Sequence, residues 1–263
     1  MDRRTLLTAF GAGVSALAGC GSILGTSATE TEAPTATPEV TLASQGFPGN
    51  ICEQEIIEHP HIPAIVEPAF AADYSDIDVP RQYRVDDENR LVDEQTVIGL
   101  TDGERARAYP LEILWHHEIV NDWFGTTASG DDRPVLVTYC PLCRSGVVAD
   151  RTIQGEATNF IVTGLLWQAP QLEEAASVQA NRTFGADRRG GRTDVTHSGN
   201  LVMYDEATRS YWSQILAEAI CGPLRGQRLE IVPSSVATWG EWKADHPETD
   251  VLLPPPHSEH VPP

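Results

Sequence analysis

Residues 134 to 148 read Pro134-Val135-Leu136-Val137-Thr138-Tyr139-Cys140-Pro141-Leu142-Cys143-Arg144-Ser145-Gly146-Val147-Val148. An apolar, β-branched run enters the two cysteines, and a second run leaves after Ser145-Gly146. That is the pattern of a strand, a Pro-containing turn and a returning strand. Two thiols at i and i+3 on such a turn can close on a metal ion or on one another.

Working outward toward the amino terminus, Ser129-Gly130-Asp131-Asp132 reads as the turn that folds His116-His117-Glu118-Ile119-Val120-Asn121-Asp122 back onto the run ending at Tyr139. Centring the turn near residue 130 places His117 opposite about position 143, so His116 or His117 is expected beside the cysteines. Before that, Thr96 to Leu100 and Ala106 to Tyr109 form a hairpin about Asp102-Gly103. Pro110 then opens a short helix with Leu111, Leu114 and Trp115 on one face. Residues 46 to 87 are irregular, and His59 and His61 within them read as a solvated loop.

Toward the carboxyl terminus, Gly146 to Ile153 and Glu156 to Thr163 alternate like two strands joined at Gly155. Residues 168 to 197 lose all periodicity and read as a surface insertion. Asn200 to Asp205 and Ser210 to Gln214 make a hairpin that sets Met203 near Trp212, ordinary core packing for a sulfur and an indole. Leu229 to Val232 is a last strand, and Thr238-Trp239-Gly240-Glu241 matches a capping box whose helix stops before Pro247. Residues 254 to 263, with His257 and His260, read as a frayed, solvated tail. The fold class expected is mainly β (α+β), antiparallel strands and hairpins with a few short helices, in one domain over residues 46 to 253.

The first 19 residues carry the address. Arg3-Arg4 precedes a Gly/Ala-rich apolar stretch too short to cross a bilayer, ending at Leu17-Ala18-Gly19-Cys20. A twin-arginine export signal is expected, with Cys20 lipidated as in a lipoprotein box. Residues 20 to 45 then make a Thr/Ala/Glu/Pro-rich linker that holds the body off the outer face of the cytoplasmic membrane. The formal charge is −20. It argues against nucleic acid as a partner, and with Lys243 as the sole lysine it reads as an acidic, salt-adapted (halophilic) surface. Any protein partner is unspecified by these features. Cys52, Cys140, Cys143 and Cys221 remain for disulfides, and four cysteines allow three pairings, of which the close pair plus Cys52 with Cys221 is the natural partition.

Several segments taken together resemble an exported bacterial and archaeal family known as domain of unknown function 3179. They are Tyr109-Pro110-Leu111-x-Ile113-Leu114, His117 to Asp122, Val137 to Cys143, Asn200 to Asp205 with Trp212-Ser213-Gln214, and Thr238-Trp239 to His246-Pro247. The resemblance runs from Arg81 to about Leu253. This chain departs from it at Ile161 and Thr163, where Gly and Ser are usual, and in the insertion at 168 to 197. The resemblance implies no established reaction.

Three readings of the central loop compete. In the first, Cys140 and Cys143 with His117, and His116 as a weaker candidate, hold a soft or borderline metal, Cu or Zn, lacking a fourth ligand. Around it, Glu118, Asp122, Met203, Tyr204, Asp205, Trp212 and Gln214 line the site. In the second, Cys140 and Cys143 exchange disulfides, with no helix after them to lower a thiol pKa. In the third, the cysteines brace a turn and the polar residues satisfy one another in the core. Glu118 or Asp205 also offers a base for hydrolysis, but no G-x-S-x-G nucleophile or Gly-rich phosphate loop accompanies it.

Overall fold

The computed structural model describes residues 41–42, 47, 49–56, 62–85, 91–168, 187–188, 191–192 and 199–261. The signal over residues 1 to 19, Cys20, the linker beyond Thr41 and Leu42, His59, His61 and most of the 168–197 insertion lie outside the described residues. Val40 to Pro263 form one compact unit.

The protein is mainly β. Its strands in order are β1 (Ile65–Glu67), β2 (Phe70–Ala71), β3 (Thr96–Asp102), β4 (Arg105–Pro110), β5 (Ile119–Thr126), β6 (Asp132–Cys140), β7 (Ser145–Asp150), β8 (Thr152–Ile153) and β9 (Glu156–Ala157). They continue with β10 (Phe160–Gln168), β11 (Asp187–Arg188), β12 (Gly191–Arg192), β13 (Gly199–Asp205), β14 (Tyr211–Ser213), β15 (Glu218–Cys221), β16 (Ser235–Thr238), β17 (Asp250–Leu252) and β18 (Glu259–His260). Helix α1 spans Leu111–His117 and α2 spans Trp239–Asp245.

Three sheets stack. The central one runs β18-β1-β5-β6-β7; on one side lies β16-β3-β4-β17-β2 and on the other β10-β13-β14-β15. Val120, Val135, Val137 and Val148 pack with β3 and β4 in one core, whereas Ile119, Leu136, Cys140 and Ala149 pack with Phe160, Met203 and Trp212 in another. Because the central sheet is covered on both faces, Val135, Leu136 and Val137 of β6 are apolar in succession where a half-exposed strand would alternate. Each such side chain taken fully out of water contributes about 1.5–3 kcal/mol.

Polar side chains pin the layers together. Asn121 donates Nδ2–H to the carbonyls of Ile65 and Phe160 at 3.1 and 3.0 Å and accepts the Phe160 N–H at 2.7 Å, joining the central sheet to the third. On the opposite face Asp122 accepts from Arg107 Nη1 at 2.7 Å and Tyr109 OH at 2.6 Å. These are structural ties. Breaking a buried ion pair costs about 3–5 kcal/mol, because it strands the surviving charge.

Several expectations meet the structure directly. β3 and β4 pair through Asp102 and Arg105 with Gly103 at φ 61° in the turn. Met203 lies opposite Trp212. Thr238 and Glu241 cap α2 reciprocally, and α2 ends at Asp245.

Others are corrected. Helix α1 buries Ile113, Leu114 and His117, while Trp115 is 43% exposed. Leu229 to Val232 forms no full strand; only Ile231 bridges to Ala149. The tail is not frayed: β18 pairs with β1, Val261 N–H donates to Ala64 O at 2.9 Å, and Ser258 is buried. Its His260 tilts against the His117 ring at 5.6 Å and is not simply solvated.

Candidate functional site

The cysteines sit where β6 turns into β7. Cys140 lies opposite Ser145, so Pro141 to Arg144 are the loop, and Arg144 closes it at φ 51°. Gly146 is required beside it: a Cβ there would lie 2.9 Å from Thr138 O and 3.1 Å from Ile98 Cδ1, closer than atoms pack. Cys140 and Cys143 are disulfide-bonded, and Cys52 is bonded to Cys221. The Cys140 sulfur side is shielded, at 1% residue exposure, while Cys143 is half-buried and Leu142 is 50% exposed. The Cys143 N–H points back at Cys140 Sγ, 3.1 Å away.

A buried polar triad supports this turn. Gln214, fully buried, donates Nε2–H to Thr138 Oγ1 at 3.0 Å and to Ser145 O at 3.1 Å, and accepts Ser145 Oγ–H through Oε1 at 3.1 Å. Thr138 Oγ1 in turn donates to Val147 O at 2.8 Å. Gln214, which follows β14 of the third sheet, therefore grips the hairpin at Thr138 and Ser145, two positions from Cys140 and Cys143 respectively.

The histidines go elsewhere. The β5–β6 ladder pairs Ile119 with Thr138, and Tyr139 N–H donates to Glu118 O at 2.8 Å. Continuing that register puts Cys140, not 143, level with His117, but α1 runs through His117 and Glu118 ends it at φ 55°. The His117 ring is thereby turned onto Pro63 and Tyr83. Pro63 O, an acceptor only, takes the Nδ1–H at 2.6 Å, which leaves Nε2 to accept the Tyr83 hydroxyl at 2.8 Å. Burial lowers its pKa to about 4, partly offset by the bond to Pro63 and reinforced by His260 and His116. His116 is exposed and bonds Gln82 O at 3.0 Å. Both rings hydrogen-bond to groups other than the sulfurs, and among the described residues no three His, Cys, Asp or Glu converge on a metal position.

The remaining candidates divide. Glu118 is 8% exposed, and desolvation raises its carboxyl to about 7; its backbone adjoins the residue before Cys140. Asp122 is held by Arg107 and Tyr109. Asp205 accepts Trp212 Nε1–H at 2.8 Å and Thr208 N–H at 2.6 Å, so it fixes the β13–β14 turn. Met203 and Trp212 are core, and Tyr204 lies under the Arg209 guanidinium at 4.7 Å. Within this set Gln214 reaches the cysteine hairpin through its side chain and Glu118 through its backbone. Reading the sequence missed Thr138 and Ser145 as its partners, although both flank the motif.

Fold and site together define a three-sheet β protein that carries a Cys-x-x-Cys disulfide on a buttressed hairpin tip. The chain belongs to the family described as protein of unknown function (DUF3179), whose model matches residues 59–172 and 181–260. That span exceeds residues 81 to 253 at both ends and takes in β1 and β18, which pair with each other. No curated protein and no solved structure matches the chain.

Proposed function

We propose that this protein carries out thiol–disulfide exchange through Cys140 and Cys143, as an exported lipoprotein tethered by Cys20 to the outer face of the cytoplasmic membrane. The observation that carries the reading is the asymmetry of the pair: a partly exposed Cys143, a buried Cys140, and an N–H aimed at the Cys140 sulfur. An incoming thiolate attacks Cys143 Sγ, the Cys143–Cys140 bond breaks, and Cys140 leaves as a thiolate that accepts the Cys143 N–H. The incoming sulfur is oxidised and Cys140 is reduced, so electrons balance within the step. Stabilisation of the leaving thiolate comes from that N–H in place of a helix dipole. Two disulfides in one chain also suit an oxidising compartment, and Arg3-Arg4 with Leu17 to Cys20 supports export and lipidation.

The test is redox titration of the full chain with thiol counting. Two thiols should appear, at Cys140 and Cys143, at a potential above about −300 mV, while Cys52–Cys221 stays closed; static structural disulfides lie below that value. Reduction only below it would sink the reading. The reduced thiolates are also the ligands that a Cu or Zn site would use, with His117 released from Tyr83 and Pro63 to join them. Stoichiometric metal uptake by the reduced protein, lost in Cys140→Ser, would turn the assignment toward metal binding.

A further inference from the structure

Strand β7 ends the central sheet, and its outer edge is only partly covered. Asp150 N–H donates to Glu230 O at 2.8 Å, and Val148 O accepts from Val232 N–H at 2.9 Å. Backbone groups on one edge of a strand recur at every second residue, so the next pair facing that way belongs to Gly146. Gly146 is exposed, and it lies three residues beyond Cys143. Around it the surface is apolar in an otherwise acidic molecule: Leu142 is 50% exposed, Ile215 58% and Leu216 36%. Ile215 and Leu216 belong to the same neighbourhood because Gln214, the preceding residue, donates to Ser145 O at 3.1 Å.

We infer that the thiol partner of Cys143 is a cysteine within an extended polypeptide segment, which docks along the free β7 edge at Gly146 with apolar side chains against Leu142, Ile215 and Leu216. This rests on the exchange reading above and names its substrate class. An open strand edge recognises main-chain donors and acceptors, which a polypeptide presents in the spacing the edge needs and a small thiol does not. The apolar flank adds affinity for side chains on either side of the cysteine. The net charge of −20 repels anionic low-molecular-mass thiols and leaves a neutral peptide unaffected. In the exchange itself the peptide thiolate bonds to Cys143 Sγ and Cys140 leaves. A second peptide thiolate then attacks the mixed disulfide, forming the peptide disulfide and releasing Cys143.

The experiment compares rates on the full chain at matched thiolate concentration. The probes are an unstructured peptide with one cysteine flanked by valines, the same peptide with the flanking amides N-methylated, and 2-mercaptoethanol. The valine peptide should react at least tenfold faster than 2-mercaptoethanol. N-methylation should remove most of that advantage, and Ile215→Ser with Leu216→Ser should lower the peptide-to-mercaptoethanol rate ratio severalfold. A disulfide that reacts with 2-mercaptoethanol but no faster with the peptide overturns this inference and leaves exchange standing. A disulfide inert to all three probes overturns exchange itself.

Discussion

Cys52–Cys221 joins a 3-10 turn at Ile51–Glu53 to the last residue of β15 across 169 residues, whereas Cys140–Cys143 closes a separation of three. The long bridge sits on an apolar cluster of Phe47, Ile51, Val202 and Ile220 that covers the outer face of the third sheet. The short one sits at a hairpin tip, with Cys140 buried and Cys143 partly exposed. A crosslink stabilises by removing freedom from the unfolded chain, so the first has much to remove and the second little. Stability alone accounts for the long bridge. The short one is left without an equivalent mechanical reason, and its exposure and buttressing are what an exchangeable bond requires.

Deleting the bridges one at a time tests that contrast most severely. Loop-closure entropy puts the loss at about 5 kcal/mol for Cys52→Ala with Cys221→Ala, and at about 2 kcal/mol or less for Cys140→Ala with Cys143→Ala. Urea unfolding under non-oxidising conditions measures both. Equal losses would erase the distinction between brace and exchangeable pair.

A second test sharpens what is special beside the short bridge. Burial raises the Glu118 carboxyl to about 7, so the folded chain keeps a proton that the unfolded chain loses near its ordinary value. Stability therefore falls as pH rises through about 7, by about 3 kcal/mol in total. Glu118→Gln should gain about that much over the wild type at pH 8 and nothing at pH 4. His117, with its pKa lowered to about 4, works the other way: the unfolded ring takes a proton near neutrality that the folded ring refuses, so stability drops as pH falls toward 4. No gain at pH 8 in Glu118→Gln would mean that the carboxyl reaches solvent when it ionises.

The smallest effect concerns the buttress. Gln214→Ala removes the donor to the partly buried Ser145 O, while Thr138 Oγ1 still accepts the Val147 N–H, a cost of about 1–3 kcal/mol. It should also shift the midpoint at which Cys140–Cys143 is reduced and leave that of Cys52–Cys221 where it was. A stability loss with both midpoints unmoved would make Gln214 a packing residue with no bearing on the hairpin.

Local chemistry was the legible part of the sequence. The β3–β4 turn, the β13–β14 hairpin and the α2 cap all announce themselves within ten residues, through Gly103, through alternation and through Thr238 with Glu241. The direction of the His117 ring was not readable, because α1 is ended by a glutamate in the left-handed conformation where glycine is the usual signal. Two further helical residues, His116 and His117, turn the ring onto Pro63 and Tyr83, and the expected register was itself three positions off. The β1–β18 pairing was hidden for a different reason. Two very short strands far apart in sequence carry no periodicity, and a Pro-rich tail looks solvated until its partner is known. The buried Gln214 was visible as a polar residue in an apolar hairpin, but its partners lie on another sheet.

The middle of strand β6 is sheathed on both faces by separate cores and the strand ends in a buried Cys140, so the surface is met in the loop beyond it, at Leu142 and Arg144. The bridge at that tip spans only three positions and touches one of the two cores, through Cys140 and Cys143. Under the proposed exchange the body would serve as a fixed mount, and the loop would change its oxidation state without the molecule having to refold.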